Sequence, residues 1–132
     1  MAISVTDTHP LVWYAAGHYR RLSKHALRLF SEADAQRGLV IVPAAVLWEV
    51  AMLLSERRIG LPQPFVPWAS TLVRQRGFDL APLDLEVINQ AVQFRFNDIF
   101  DAAIVATATT RDLPLITKDQ AICESRVVEV AW

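Results

Sequence analysis

Short β-branched runs alternate with longer helical stretches along this chain. Ala2–Thr6 and Leu39–Val42 are apolar segments of the length of a buried strand, and Leu22–Arg37 between them carries apolar side chains at helical spacing. Neighbouring parallel strands need a crossover connection, which is usually a helix. The alternation therefore predicts an α/β fold: a three-layer α/β/α sandwich around a mainly parallel sheet that is covered on both faces.

The other segments continue this alternation. Further helices are predicted at Pro43–Arg58, Phe65–Arg76, Asp84–Phe94 and Asp98–Arg111, and further strands at Phe78–Leu80, Leu115–Thr117 and Val127–Val130. Ser23 is the expected N-cap of the helix that follows it. The chain of 132 residues has the usual length of one domain, and we expect residues 1–132 to form a single one.

Composition excludes several classes of protein. Hydrophobic residues make up 53% of the chain and charged residues 20%, which is too apolar for a disordered protein. No apolar run reaches the roughly 18 residues that span a bilayer, and the N-terminus lacks a signal-peptide pattern, so we expect a cytoplasmic protein without a membrane anchor. The single cysteine, Cys123, is expected to be a small buried hydrophobe. The net charge of −1 gives no global basic field, so any contact with nucleic acid must be local.

Acidic residues recur where predicted strands end and where a helix that leads back into a strand begins. They are Asp7 after the first strand, Asp119 after the strand Leu115–Thr117, and Asp98 and Asp101 in the first turn of a helix. In a parallel α/β sheet these positions meet at one edge, where ligands and chemistry collect. We therefore expect these carboxylates to lie close together.

Glu49 is the only charged residue between Pro43 and Leu54. A buried carboxylate is costly unless it is paired or binds a cation, and helical side chains point toward the N-terminus, which aims Glu49 at the same sheet edge. Oxygen ligands without nearby cysteine or HxxxH-spaced histidine suit Mg²⁺ or Mn²⁺ better than zinc. Because Mg²⁺ is typically held by a few carboxylates together with substrate phosphates, the pattern favours hydrolysis of phosphodiester bonds.

Each of these acids also has a structural alternative. Asp7 and Asp119 could be helix N-caps, and Glu49 could be paired with an arginine. Asp98 followed three residues later by Asp101 resembles a capping arrangement. Asp98 could therefore cap its helix or bind metal, whereas Asp101 is favoured as a ligand.

The chain resembles the PIN-domain family, and within it the VapC-type toxins of bacterial toxin–antitoxin pairs. The segments that carry the resemblance run in the family's order from end to end: VTDTHPLVWY from Val5, LSKHA from Leu22, VPAAVLWEVAML from Val42, FDAAIVATA from Phe100 and LPLITKD from Leu113. The resemblance implies a magnesium-dependent endoribonuclease with a catalytic quartet of Asp7, Glu49, Asp101 and Asp119, and with Thr117 as a nearby hydroxyl. It also implies a homodimer and a protein antitoxin whose C-terminal segment packs on the toxin and blocks its site.

The chain departs from the family pattern next to two acids of the site. Many close relatives have proline after the first acid of the helix-opening pair and arginine after the second, whereas this chain has Ile99 and Ala102. The departure leaves the carboxylates intact, and it bears on the local loop geometry and on any phosphate contact by that arginine. One or two metal ions are compatible with the quartet, and with two ions Asp7 is the expected bridging ligand.

Contact with RNA would need local cations and stacking surfaces. Candidate cations are Arg20, Arg21, Lys24 and His25 between the first two helices, the pairs Arg57–Arg58 and Arg74–Arg76, and His9 two residues after Asp7. Trp13, Trp48 and Trp68 could stack bases, although core packing or an antitoxin groove is the favoured role. The main alternative function is a catalytically degenerate PIN-like module that binds RNA or a protein without cleavage. A haloacid-dehalogenase-like phosphatase is disfavoured, because His9 stands where that family needs a second aspartate.

Overall fold

Five parallel strands form the centre of the fold in the computed structural model, which describes residues 1–132. The strands are β1 Ile3–Thr6, β2 Leu39–Pro43, β3 Phe78–Ala81, β4 Leu115–Ile116 and β5 Val130–Ala131. Their spatial order is β3-β2-β1-β4-β5, and every neighbouring pair is parallel. The first strand of the chain is therefore the central one, and its carboxyl end lies between those of β2 and β4.

Seven α-helices connect and cover the strands. They are α1 Thr8–Ala15, α2 Lys24–Asp34, α3 Ala44–Ser55, α4 Phe65–Arg74, α5 Leu85–Ala91, α6 Ile99–Thr109 and α7 Gln120–Ser125, with a short 3₁₀ turn at Tyr19–Arg21. Successive residues of a strand point to opposite faces of the sheet, and Val5 and Thr6 of β1 are both fully buried. The α/β/α sandwich with a parallel central sheet is thus confirmed.

The apolar periodicity of the sequence forms one core. Val5, Val40 and Val42 of the sheet pack with Phe30 of α2 and Ile104 of α6 in one cluster of buried side chains. Ser23 caps α2 as predicted, because its hydroxyl accepts a hydrogen bond of 3.0 Å from the backbone N–H of Ala26. None of the helices combines the length and the apolar character that crossing a membrane requires.

Two expectations at the C-terminal end of the chain are wrong. The last strand is Val130–Ala131 and does not begin at Val127, because Arg126 leaves α7 with a left-handed φ of 57° and the chain must turn before it can pair with β4. Cys123 is exposed, since the short helix α7 buries only Ile122 against the core. The helix α7 therefore has one apolar residue, Ile122, on its buried face and another, Cys123, on its exposed face.

Candidate functional site

Asp7 lies at the carboxyl end of the central strand, directly after β1. Its backbone N–H donates to the carbonyl of Ile116 in β4, and its side chain is only 7% exposed. One carboxylate oxygen accepts a 2.8 Å hydrogen bond from the backbone N–H of Thr8, and the other accepts a 2.7 Å hydrogen bond from the Thr117 hydroxyl. Asp7 is therefore the N-cap of α1, as its structural alternative proposed, and it is also fixed in orientation by β4.

Thr117 connects two of the predicted acids. While its hydroxyl donates to Asp7, the same oxygen accepts a 3.0 Å hydrogen bond from the backbone N–H of Asp119. The carboxylate of Asp119 in turn accepts from the N–H of Ile122 and caps α7. Thr117 is fully buried, so these polar contacts are shielded from water and hold the end of β1 and the start of α7 together.

Glu49 is half-buried in α3, and its carboxylate accepts a 2.5 Å hydrogen bond from the hydroxyl of Thr8. Thr8 itself is fully buried in the first turn of α1. The alternative in which Glu49 pairs with an arginine is wrong, because the one ion pair in the molecule joins Arg58 to Glu56. The same hydrogen bond places the Glu49 carboxylate at the carboxyl edge of the sheet as predicted, because Thr8 directly follows Asp7 there.

Asp98 and Asp101, the two acids at the start of α6, differ in burial and in hydrogen bonding. Asp98 is exposed and caps α6, because its carboxylate accepts a 2.8 Å hydrogen bond from the backbone N–H of Phe100. Asp101 is half-buried in the first turn of the same helix and makes no side-chain hydrogen bond. The capping alternative for Asp98 is thus confirmed, and Asp101 has no structural partner that accounts for its burial.

The electrostatics place all five carboxylates in one cluster. Burial raises the pKa of Asp101, and the negative charges of the other four acids, Asp7, Asp98, Asp119 and Glu49, add to this effect, so that together they bring it to about 7. Burial also raises the pKa of Asp7, with a smaller contribution from the charge of Glu49, and hydrogen bonds from Thr117 and Thr8 oppose this shift. The acids that the sequence placed at one edge therefore act on one another there.

The donor chemistry of the cluster suits a hard divalent cation. All five side chains offer oxygen, and no lysine or arginine forms an ion pair with any of them. The carboxylates do not form a finished coordination shell, because no three His, Cys, Asp or Glu side chains are arranged to hold a metal ion. Mg²⁺ commonly keeps several waters and uses only one or two carboxylates, so the cluster fits this ion without a full protein shell.

The candidate RNA-binding residues are spread over a wider surface. His9 is exposed in the first turn of α1, with its ring centroid 6.0 Å from that of Trp13. Arg20 and Arg21 lie in the 3₁₀ turn, and Lys24 begins α2; all three are exposed.

Two residues at the site were missed by the sequence reasoning. Thr8 binds Glu49 from a position 41 residues away, and Lys118 places its ammonium 4.9 Å from the centroid of the Trp13 ring. The position of Lys118 between Thr117 and Asp119 was a visible signal for it, whereas nothing local marked Thr8 as more than a helix-opening residue. Among the tryptophans, Trp68 is in the core as expected, and Trp48 is 60% exposed.

Comparison with known proteins adds to this geometry. The chain is similar in fold to VapC20 of Mycobacterium tuberculosis, a toxin described as cleaving the sarcin–ricin loop, with a TM-score of 0.71, 18% identity and coverage of 99% of this chain and 100% of the other. It is also similar to VapBC2 of Rickettsia felis, solved with a promoter DNA fragment (TM-score 0.66, 12% identity, coverage 97% and 96%). FitAcB of Neisseria gonorrhoeae gives a TM-score of 0.64 at 16% identity, with coverage of 98% and 96%. These likenesses show the fold.

The sequence comparison is more specific. No curated protein matches the chain by sequence. The sequence profile of the PIN domain, however, matches residues 4–127, which include every acid of the cluster. Since this match spans nearly the whole chain, the protein belongs to the PIN-domain family.

Proposed function

We propose that this protein is a magnesium-dependent endoribonuclease and the toxin of a toxin–antitoxin pair. The observation that carries the proposal is the cluster of carboxylates around Asp101, with which no lysine or arginine forms an ion pair. Membership of the PIN-domain family supports a nuclease in general, and the similar fold of VapC20, a toxin described as cleaving the sarcin–ricin loop, supports RNA as the substrate.

In the proposed site, the acidic residues would bind the metal ion and two threonines orient the acids. Asp7, Glu49, Asp101 and Asp119 would hold Mg²⁺ or Mn²⁺, one or two of them by direct contact and the others through waters on the ion, with Asp98 at the exposed side. When bound, such an ion lowers the pKa of a coordinated water and stabilises charge on the phosphate. Thr117 and Thr8 fix the orientations of the Asp7 and Glu49 carboxylates through their hydroxyl groups. Asp101 must lose its proton to become a ligand, and its raised pKa couples this loss to cation binding near neutral pH.

The raised pKa values predict how the stability of the metal-free protein depends on pH. Asp101 has a folded pKa of about 7 against an ordinary value of 3.8, so it stabilises the fold fully below about pH 4 and loses this contribution as pH rises through about 7. Asp7 is shifted in the same direction. Since the cation binds only the folded, deprotonated cluster, Mg²⁺ at 100 times its dissociation constant should add about 2.7 kcal/mol at about pH 7.5 and much less at about pH 5. Thermal melts in EDTA and in Mg²⁺ at both pH values measure this.

Asp101→Asn provides the matched variant for these melts. It removes the ionisation while keeping the shape, so in EDTA the variant should melt above the parent at about pH 7.5 and above it by a smaller margin at about pH 5, and it should respond little to Mg²⁺. Asp79→Asn, at an exposed residue of β3, is the control for loss of one charge and should retain the magnesium response. An Asp101→Asn protein that melts lower in EDTA and still responds fully to Mg²⁺ would show that this carboxylate is structural.

Activity of the purified chain tests the proposed reaction. We expect cleavage of single-stranded RNA with Mg²⁺ or Mn²⁺ and none in EDTA. Asp101→Asn should abolish cleavage, whereas Asp98→Asn should retain part of it because asparagine still caps the helix; Asp98→Ala should in addition lose about 0.5–2 kcal/mol of stability. Gel analysis of a labelled oligonucleotide separates these outcomes. Undiminished cleavage in EDTA would contradict the metal mechanism, and a folded, metal-binding protein that never cuts would support the degenerate module.

An antitoxin partner is the second part of the proposal, and its support is the toxin–antitoxin nature of the similar structures from Rickettsia felis and Klebsiella pneumoniae. Expression of this chain alone should arrest growth of a bacterial host, and co-expression of the small reading frame next to its gene should restore growth. The Asp101→Asn chain is the control and should be harmless. Normal growth with active, soluble protein would argue against the toxin while leaving the nuclease in place.

An apolar groove between α3, α5 and α6 motivates the homodimer that the family resemblance implies. The groove has a volume of about 360 Å³, and Trp48, Val92 and Ile99 on it are 60%, 73% and 75% exposed. Such a patch on a small domain marks an interaction surface. We assign it to a second copy of the chain.

A single charge in this groove should separate the two copies. Val92→Glu should convert a dimeric parent to a monomer, because dimerisation would bury the carboxylate without a partner. Val66→Glu places the same charge at a residue of α4 that is 68% exposed and lies outside the groove, so it should leave the dimer intact. Light scattering after gel filtration gives the mass of each variant, and a dimeric Val92→Glu protein would remove the groove from the interface.

A further inference from the structure

A basic cleft opens along α1, the helix that Asp7 caps. One wall is the face of α1 that carries His9 and Trp13, and the opposite wall is the segment from Arg58 to Gly60 after α3. His18 and Arg21 close one end, and the volume is about 360 Å³. A second cavity of about 640 Å³ adjoins it, since it shares His18 and Arg21 and is lined further by Arg20. The two cavities form one continuous surface, which we call the cationic cleft.

The charges of the cationic cleft are almost uncompensated. Arg58 is in an exposed ion pair of 3.6 Å with Glu56, and no acid forms an ion pair with Arg20 or Arg21. The guanidinium of Arg21 lies 5.7 Å from the centroid of Trp13 and the ammonium of Lys118 lies 4.9 Å from it. Two cations therefore lie near the indole ring of Trp13, and one of them, Lys118, directly precedes Asp119 in the chain.

The cleft is connected to the carboxylates through short stretches of chain. His9 is two residues after Asp7, close enough for its charge to act on that carboxylate, and Lys118 directly precedes Asp119. A polyanion bound against His9 and Trp13 would therefore lie along the helix that begins at Asp7. Net charge of the chain is −1, so this local concentration of positive charge is the means by which a negatively charged strand can approach a negatively charged site.

We infer that the cationic cleft binds the phosphate backbone of single-stranded RNA on one side of the bond to be cut, an inference that rests on the proposed ribonuclease activity. Adjoining cavities lined by cations beside an aromatic ring are the arrangement that proteins use to track a single strand. A single phosphate is much smaller than either cavity, so the cleft has room for several linked phosphates. The predicted basic cluster is thereby divided: Arg20 and Arg21 line the cleft with Arg58 and His18, and Lys24 lines neither cavity.

RNA binding in EDTA tests the cleft apart from catalysis. Arg21→Gln with Arg58→Gln removes two charges from the cleft. Because both residues are exposed, the double variant should have the same melting temperature as the parent. Arg74→Gln with Arg76→Gln is the control, because these two exposed arginines line neither cavity of the cleft. Fluorescence anisotropy with a labelled single-stranded RNA oligonucleotide should give a Kd about tenfold weaker for the cleft variant and a salt slope smaller by about 1.4, at about 0.7 per phosphate contact. The control should equal the parent.

The remaining outcomes separate the possible explanations. Equal affinity and salt slope for the cleft variant and the parent, or no RNA binding by the parent, would overturn the inference. Polyglutamate serves as a protein-like competitor: if it displaces RNA as well as unlabelled RNA does at equal charge, the cleft is a site for an acidic protein segment and the assignment to RNA is overturned. RNA binding that depends on the cleft, together with no cleavage in Mg²⁺, would leave the inferred site in place and refute the proposed nuclease.

Discussion

The site depends on one constraint: the carboxylate of Asp7 is buried at the end of the central strand, and no lysine or arginine forms an ion pair with it. Asp7 is held there by the N–H of Thr8 and the hydroxyl of Thr117, and these two hydrogen bonds only partly offset the cost of removing its charge from water. Glu49 and Asp101 approach the same place from two further helices. Their mutual repulsion stores free energy that a divalent cation can release, and this links the fold to the proposed chemistry.

Helix capping and cation binding use the same side chains in this protein. Asp7, Asp98 and Asp119 each accept a hydrogen bond from the first turn of a helix, so three helix N-termini direct their partial positive charges at the cluster. At Asp7, burial raises the pKa of the carboxyl, and the hydrogen bonds from Thr117 and Thr8 partly oppose that shift. Asp101 lacks such a hydrogen bond and has its pKa raised to about 7. The capping and metal-binding interpretations of these acids are therefore compatible for three of the residues.

The position of the site could be predicted from sequence because it follows from local rules. Acids that follow β-branched runs must lie at the carboxyl edge of a parallel sheet, and a lone charge in an apolar helix, Glu49, must have a reason for its burial. The alternation of strands and helices gave the sheet and its layers by the same reasoning. The family resemblance added the ribonuclease chemistry, which periodicity alone does not specify.

Contacts between residues far apart in sequence were beyond that reasoning. The pairing of Thr8 with Glu49 spans 41 residues, and the assembly of the cationic cleft needs Arg58 to meet α1 across the end of α3. The exposure of Cys123 and the late start of β5 depend on how a six-residue helix docks, and its short apolar pattern does not fix this. Such features come from tertiary packing, which overrides weak local preference.

Anomalous diffraction from Mn²⁺-soaked crystals of this protein would test the central claim most directly, because it locates the cation without relying on activity. The account predicts an anomalous peak between the carboxylates of Asp7 and Asp101, with oxygen ligands and ordered waters completing its shell. It would be contradicted by crystals at neutral pH in which this position holds no cation and Asp7 and Asp101 instead contact lysine or arginine side chains.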